Sequence, residues 1–303
     1  MTPMMKDADL CATRPTAAKD GHGMEAQRRF PYRFFIVTFL WSWMICLPMV
    51  LAGFDIIPLR KELLAKVSMP VFILAAFGPA LGALYSLRTL NGKGAIRRYL
   101  WGVLDFRFGW KVWILPIFVV GGSTCAAWIL PELWGAPRLG LRLPSLWVIP
   151  RYFLIMVFFG GGQEELGWRG YILDPIEERL GPWLANLVVG VVWAIWHLPL
   201  FLLPGTGQAF TPFVGFILLT TGYSWFFSWV RQASGKRTFS GLYVHGLANV
   251  FGSVFPTVVM AAGKPQTRYW IWASLTFAIG LATMAIRSIK SNGSRSTEPV
   301  IRK

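Results

Sequence analysis

The sequence predicts an all-α protein, a polytopic membrane helix bundle of about eight transmembrane helices. Three observations predict it. Hydrophobic residues make up 54% of the 303 positions and charged residues only 15%, a balance outside the usual range of water-soluble domains. Apolar runs of roughly 20 residues recur from Tyr32 to Ile286, each long enough to cross about 30 Å of hydrocarbon as a helix. The short alternating segments of a membrane β-barrel are absent, so helices are left to satisfy the backbone inside the bilayer.

Taken in order, the first 29 residues mix Pro, Gly, Lys, Asp and Arg without an apolar core or cleavage site. They read as a flexible cytoplasmic tail, not a signal peptide. The predicted spans follow at 32–53, 68–88, 111–130, 146–164, 183–203, 212–230, 240–262 and 269–287. The fourth has the composition to run on through Arg169 toward Arg179, interrupted only at Asp174-Pro175, since proline disfavours a continuing helix. The seventh is Gly-rich and broken by Pro256. Residues 30–290 thus form one transmembrane domain, and 291–303 a second flexible tail.

The net charge of +16 does not point to nucleic acid, because the basic residues lie between the apolar runs and at the ends, with no basic helix carrying interleaved stacking aromatics. With the N-terminus in the cytoplasm, 22 of the 30 Lys and Arg fall on the side of the termini, and 88–111 is the most basic loop. The positive-inside rule therefore places both termini in the cytoplasm of a multi-pass protein of the plasma or inner membrane. Cys11 falls in the tail, while Cys46 and Cys125 lie in apolar runs without paired spacing, so neither a disulfide framework nor a Cys-based zinc site is expected.

Ionisable residues within the spans are few, and each is a functional candidate because its burial is costly. Glu164 and Glu165 follow Gly160-Gly161-Gly162, whose small size permits close helix approach or a local irregularity. Neighbours on a helix point about 100° apart, whereas Glu165 and Arg169 at i, i+4 share a face. Glu165 and Arg169 are therefore assigned to a structural ion pair and Glu164 to the working group, a general base in a partly dry site. His245 and Asn249, again i, i+4, can donate together to an oxyanion. His197, with Trp193 one turn before it, is placed to orient a water. Asp105, Glu132, Asp174, Glu177 and Glu178 read as loop or interfacial charges.

These residues carry a resemblance to the CPBP family of intramembrane proteases, also called the CAAX protease and bacteriocin-processing or ABI family. Its E-E-x-x-x-R motif matches Glu164-Glu165-Leu166-Gly167-Trp168-Arg169. Its F-x-x-x-H motif corresponds to Trp193-Ala194-Ile195-Trp196-His197, with Trp where the family usually has Phe. Its H-x-x-x-N motif matches His245-Gly246-Leu247-Ala248-Asn249. The resemblance implies that Glu164 activates a water with His197 while His245 and Asn249 stabilise the oxyanion, on a membrane-associated protein or peptide substrate. Membrane lipid is an expected partner and nucleic acid is not; the oligomeric state is not legible.

Three alternatives accompany this reading. Glu164, His197 and His245 are also the ligand types of a catalytic zinc with one open position, although H-E-x-x-H spacing is missing. The expectation is a site without a metal or other cofactor, since His245 and Asn249 supply oxyanion donors without a Lewis acid. A membrane scaffold or immunity protein would keep the motifs without turnover. A proton-coupled transporter is disfavoured by the lack of an inverted repeat.

Overall fold

The computed structural model describes residues 30–296 except Leu59, Leu143, Pro144, Leu146 and Gly205. The predicted N-terminal tail, and the predicted C-terminal tail beyond Ser296, lie outside the described residues. The described chain is helical and without strands, and six helical stretches are long and apolar enough to cross a membrane. Helix α1 is Tyr32–Gly53, α2 Lys61–Ala75, α3 Gly78–Asn91, α4 Ala95–Val103 and α5 Trp110–Ile129. The remainder are α6 Ile149–Phe158, α7 Leu173–Trp196, α8 Phe213–Ala233, α9 Phe239–Val254 and α10 Thr267–Ser296.

Each predicted span overlaps one of these helices, with informative differences. The second is split between α2 and α3 at Ala76–Phe77, just ahead of Pro79, which sits in the first turn of α3, where its missing N–H costs little. The fourth and fifth belong to one 48-residue candidate stretch, Ile149–Trp196. It breaks not at Asp174-Pro175 but at Phe159–Gly161, and it kinks at Gly181, where φ is 72° and ψ 164°. Pro175 sits in the first turn of α7, where a missing N–H costs little. The seventh span is shorter than predicted: α9 stops at Val254, ahead of Pro256.

Without water to squeeze out, helices in lipid are held by close packing and interhelical hydrogen bonds. Ser42 of α1 donates to the Ala75 carbonyl at 2.7 Å and Thr38 to the Gly78 carbonyl at 3.4 Å. The crossing of α8 and α10 is closer still. A Cβ on Gly222 would lie 2.6 Å from the Phe277 backbone nitrogen, and one on Gly280 2.5 Å from the Gly222 carbonyl oxygen.

Glu177 departs from its reading as an interfacial charge. It is largely buried and receives Arg287 of α10 at 2.7 and 2.8 Å, Asn186 at 2.9 Å and Ser228 of α8 at 3.1 Å. This polar knot ties three helices at one end of the bundle. At that same end, Asp174 pairs with Arg231 at 2.8 Å and Lys236 at 3.1 Å, and Asp105 with Arg107 and Arg237 at 3.0 Å each.

Candidate active site

The site begins where α6 unwinds. After Phe158 the chain passes through Phe159 and Gly160 to Gly161, whose φ of 128° is a left-handed value that side chains rarely tolerate. Glycine is needed there for a second reason: a Cβ would lie 2.4 Å from Asn249 Nδ2 and 2.7 Å from His245 Nε2. Gln163 holds the unwound turn, accepting from the Gly161 N–H at 2.9 Å and donating to the Phe159 carbonyl at 3.3 Å. A 3-10 turn, Gly162–Glu164, a helical turn, Glu165–Gly167, and a π segment, Trp168–Ile172, then lead into α7. Such irregular turns mark functional sites in many helices.

Glu164, His197, His245 and Asn249 line one cavity of about 570 Å³. Glu164 is 4% exposed. Its Oε2 accepts the Trp193 indole N–H at 2.7 Å, and Oε1 has no protein partner among the described residues. The Trp193 ring lies between the histidines, its centroid 5.9 Å from that of His197 and 5.2 Å from that of His245, both edge-on. The glutamate and both imidazoles thus converge around one indole.

Hydrogen-bond chemistry fixes the histidine tautomers. His197 Nδ1 is 2.8 Å from the Trp193 carbonyl, which can only accept, so Nδ1 carries hydrogen. In the neutral ring Nε2 is then an acceptor. His245 Nδ1 is 2.8 Å from Glu165 Oε1, so its Nε2 is the nitrogen beside Gly161. That nitrogen donates only when the ring is doubly protonated, and Glu165 is positioned to neutralise the resulting charge. Asn249 gives one Nδ2 hydrogen to the Gly160 carbonyl and keeps its second.

Glu165 and Arg169 stand behind the cavity. Arg169 Nη1 meets Glu165 Oε1 at 3.0 Å with both side chains fully buried. Its guanidinium also lies over the rings of Trp193 at 4.9 Å and Phe227 at 5.1 Å, a cation–π environment suited to a desolvated Arg. The ion pair read from the i, i+4 spacing is present, but the spacing did not reveal that the same carboxylate oxygen orients His245, 80 residues away. The clamp made by Gln163 was also missed. The Trp193 bond to Glu164 had one visible signal: Trp in place of Phe adds an N–H donor.

Among the described residues, no group of three or more His, Cys, Asp or Glu side chains is arranged to hold a metal ion. Glu164 Oε2 and His245 Nδ1 are already committed to Trp193 and Glu165.

The type II CAAX prenyl endopeptidase Rce1-like family matches residues 145–251, the stretch from the start of α6 to near the end of α9. A CAAX prenyl protease 2 from Methanococcus maripaludis is 35% identical over 60 residues, covering 20% of this chain and 21% of the relative's length. The chain thus aligns with about a fifth of that relative.

Proposed function

We propose that the chain, matched over residues 145–251 by the type II CAAX prenyl endopeptidase Rce1-like family, is a member of the CPBP family of intramembrane proteases and an endopeptidase hydrolysing a peptide bond of a membrane-associated protein or peptide. The observation that carries the proposal is the convergence of Glu164, His197, His245 and Asn249 on one cavity, with the acceptor atoms Glu164 Oε1 and His197 Nε2 left free for a water. Glu164 takes a proton as the water oxygen attacks the carbonyl carbon of the substrate. Charge moves to the carbonyl oxygen, which receives the second Asn249 Nδ2 hydrogen and, from a doubly protonated His245, the Nε2 hydrogen. Collapse breaks the C–N bond, and Glu164 returns its proton to the leaving amine. With His245 doubly protonated, the carboxylates of Glu164 and Glu165 are balanced by Arg169 and His245, so the buried cluster is neutral overall.

The proposal includes the orientation read from the charge pattern, with both termini in the cytoplasm. It also includes a mechanism without a metal. A prenylated CAAX-type peptide, named for the matched family, is the first substrate to try, beside its unprenylated form. The test is cleavage in vesicles by purified wild type and Glu164→Gln. Cleavage by wild type and its loss in Glu164→Gln, with thermal unfolding unchanged, is expected; full activity in Glu164→Gln, or none in wild type on any membrane-presented peptide, overturns the reading. Exhaustive chelation is expected to leave cleavage intact, and a loss reversed by added zinc would make Glu164, His197 and His245 ligands instead.

A further inference from the structure

Trp193 occupies the motif position where an aromatic ring packs under the histidine, and in this chain it does more than pack. Its indole Nε1 donates to Glu164 Oε2 at 2.7 Å from a ring only 4% exposed. The same indole is edge-on to His197 and His245 and lies under the Arg169 guanidinium. We propose that Trp193 is a positioning residue for Glu164: by occupying Oε2 it leaves Oε1 as the one oxygen that can take the proton of the attacking water, and it fixes the direction in which that oxygen points. A carboxylate on a helical turn otherwise samples several rotamers, and a fixed geometry at the reacting centre is worth orders of magnitude in rate. Phenylalanine would keep the ring beneath His197 and lose the donor.

This inference rests on the endopeptidase reading. The test compares wild type, Trp193→Phe, Glu164→Asp and the double variant as full chains in vesicles. Trp193→Phe is expected to lower kcat about tenfold, the usual scale for a hydrogen bond to a charged group, with KM within about twofold. Because the tryptophan acts through the glutamate, its substitution is expected to have little further effect once Glu164→Asp has withdrawn the carboxylate. Wild-type kcat in Trp193→Phe, or full additivity in the double variant, overturns the proposal while leaving the endopeptidase reading standing. A raised KM with unchanged kcat also overturns it, since that marks a role in substrate packing. Glu164→Gln at full activity instead sinks the reading beneath it.

A second, independent observation lies outside the cavity, on the basic loop the mechanism does not use. Helix α4 buries Ala95 and Val103 and turns Arg97, Leu100, Trp101 and Leu104 outward at i, i+3, i+4 and i+7, one continuous face. Trp101 is 65% exposed and Leu104 52%. Arg88, Lys93 and Arg97 line a pocket of about 500 Å³ with Ile96, Leu100 and Leu104, and the ion pairs of the described residues involve other cations. The pocket lies between two candidate spans, Lys66–Asn91 and Trp110–Trp134. We infer that it binds an anionic phospholipid, with the phosphate on the three cations and an acyl chain along the apolar face.

The full chain in detergent is to be titrated with phosphatidylglycerol, phosphatidylcholine and inorganic phosphate, and bound adducts read by native mass spectrometry. Retention of phosphatidylglycerol over phosphatidylcholine is expected. Its affinity should fall about 100-fold in the triple variant Arg88→Gln, Lys93→Gln, Arg97→Gln, and also fall in Trp101→Ala, which keeps every charge. Equal retention of both lipids, binding of phosphate as tight as of lipid, or undiminished lipid binding in the triple variant overturns the inference.

Discussion

At the scale of single residues, the two neighbouring glutamates divide the work because their surroundings differ. Glu164 faces the cavity and has one committed oxygen; Glu165 lies behind it and carries both Arg169 and His245 on Oε1. Removing the charge of Glu165 leaves Arg169 buried without its carboxylate, a loss of about 3–5 kcal/mol by comparison with other broken buried pairs. Glu165→Gln is therefore expected to lower the unfolding midpoint in detergent sharply and to reduce cleavage through a misoriented His245, whereas Glu164→Gln abolishes cleavage with the midpoint kept. Equal midpoints for the two variants would contradict this division. Gly161→Ala is expected to disable the enzyme and to cost about 1–3 kcal/mol, because its φ of 128° disfavours any Cβ and the methyl would collide with Asn249 and His245. Near wild-type cleavage by that variant would show that the turn is free to relax.

At the scale of elements, the ends of helices are tied by charges outside the spans. Asp105, in the loop after α4, is held well below the usual carboxylate range, first by hydrogen bonds from Arg107 and then by Arg237 ahead of α9. A depressed folded-state value means stability that is present above the unfolded value of about 4 and lost as pH falls through the folded one. Asp105→Asn is thus expected to unfold at lower temperature than wild type at neutral pH, with the gap narrowing below about pH 4. A gap independent of pH would assign the effect to packing. At this scale the sequence was legible in periodicity and length but not in where helices break. Asp174-Pro175 looks like the interruption of the fourth span, yet the chain absorbs Pro175 in a first turn and bends at Gly181, since the preceding π segment resets where α7 begins.

For the whole molecule, the cavity and the ion pairs of Asp105, Asp174 and Glu177 lie toward opposite ends of the bundle. Arg142, Gln208 and Met260, which line the cavity, come from connections at one end; the pairs of Asp105, Asp174 and Glu177 lie at the other. On the proposed orientation, with both termini in the cytoplasm, the cavity would open to the opposite face. In a cysteine-free background, a single cysteine at Gln208 is expected to react with an impermeant maleimide in intact cells, and one at Lys236 only after the cells are permeabilised; the reverse pattern would invert the orientation. The bundle itself depends on the α8–α10 crossing, where Gly280→Leu is expected to prevent close approach and yield a chain that aggregates on detergent extraction. A monodisperse, active variant would show that the crossing has slack.

The sequence by itself determined the all-helical membrane architecture, because span length and apolar composition answer directly to the thickness and dryness of the bilayer. It also singled out Glu164, His197, His245 and Asn249, because ionisable and polar groups inside apolar helices are costly enough to stand out one at a time. Helical spacing reached as far as Glu165 with Arg169, a pair four residues apart. Only the tertiary structure decided that His245 shares that carboxylate, that Trp193 reaches Glu164 across 29 residues, and that Gly161 brings the backbone against both oxyanion candidates. Those contacts join different helices or an unwound turn, and their geometry follows from how helices cross, which no local pattern encodes.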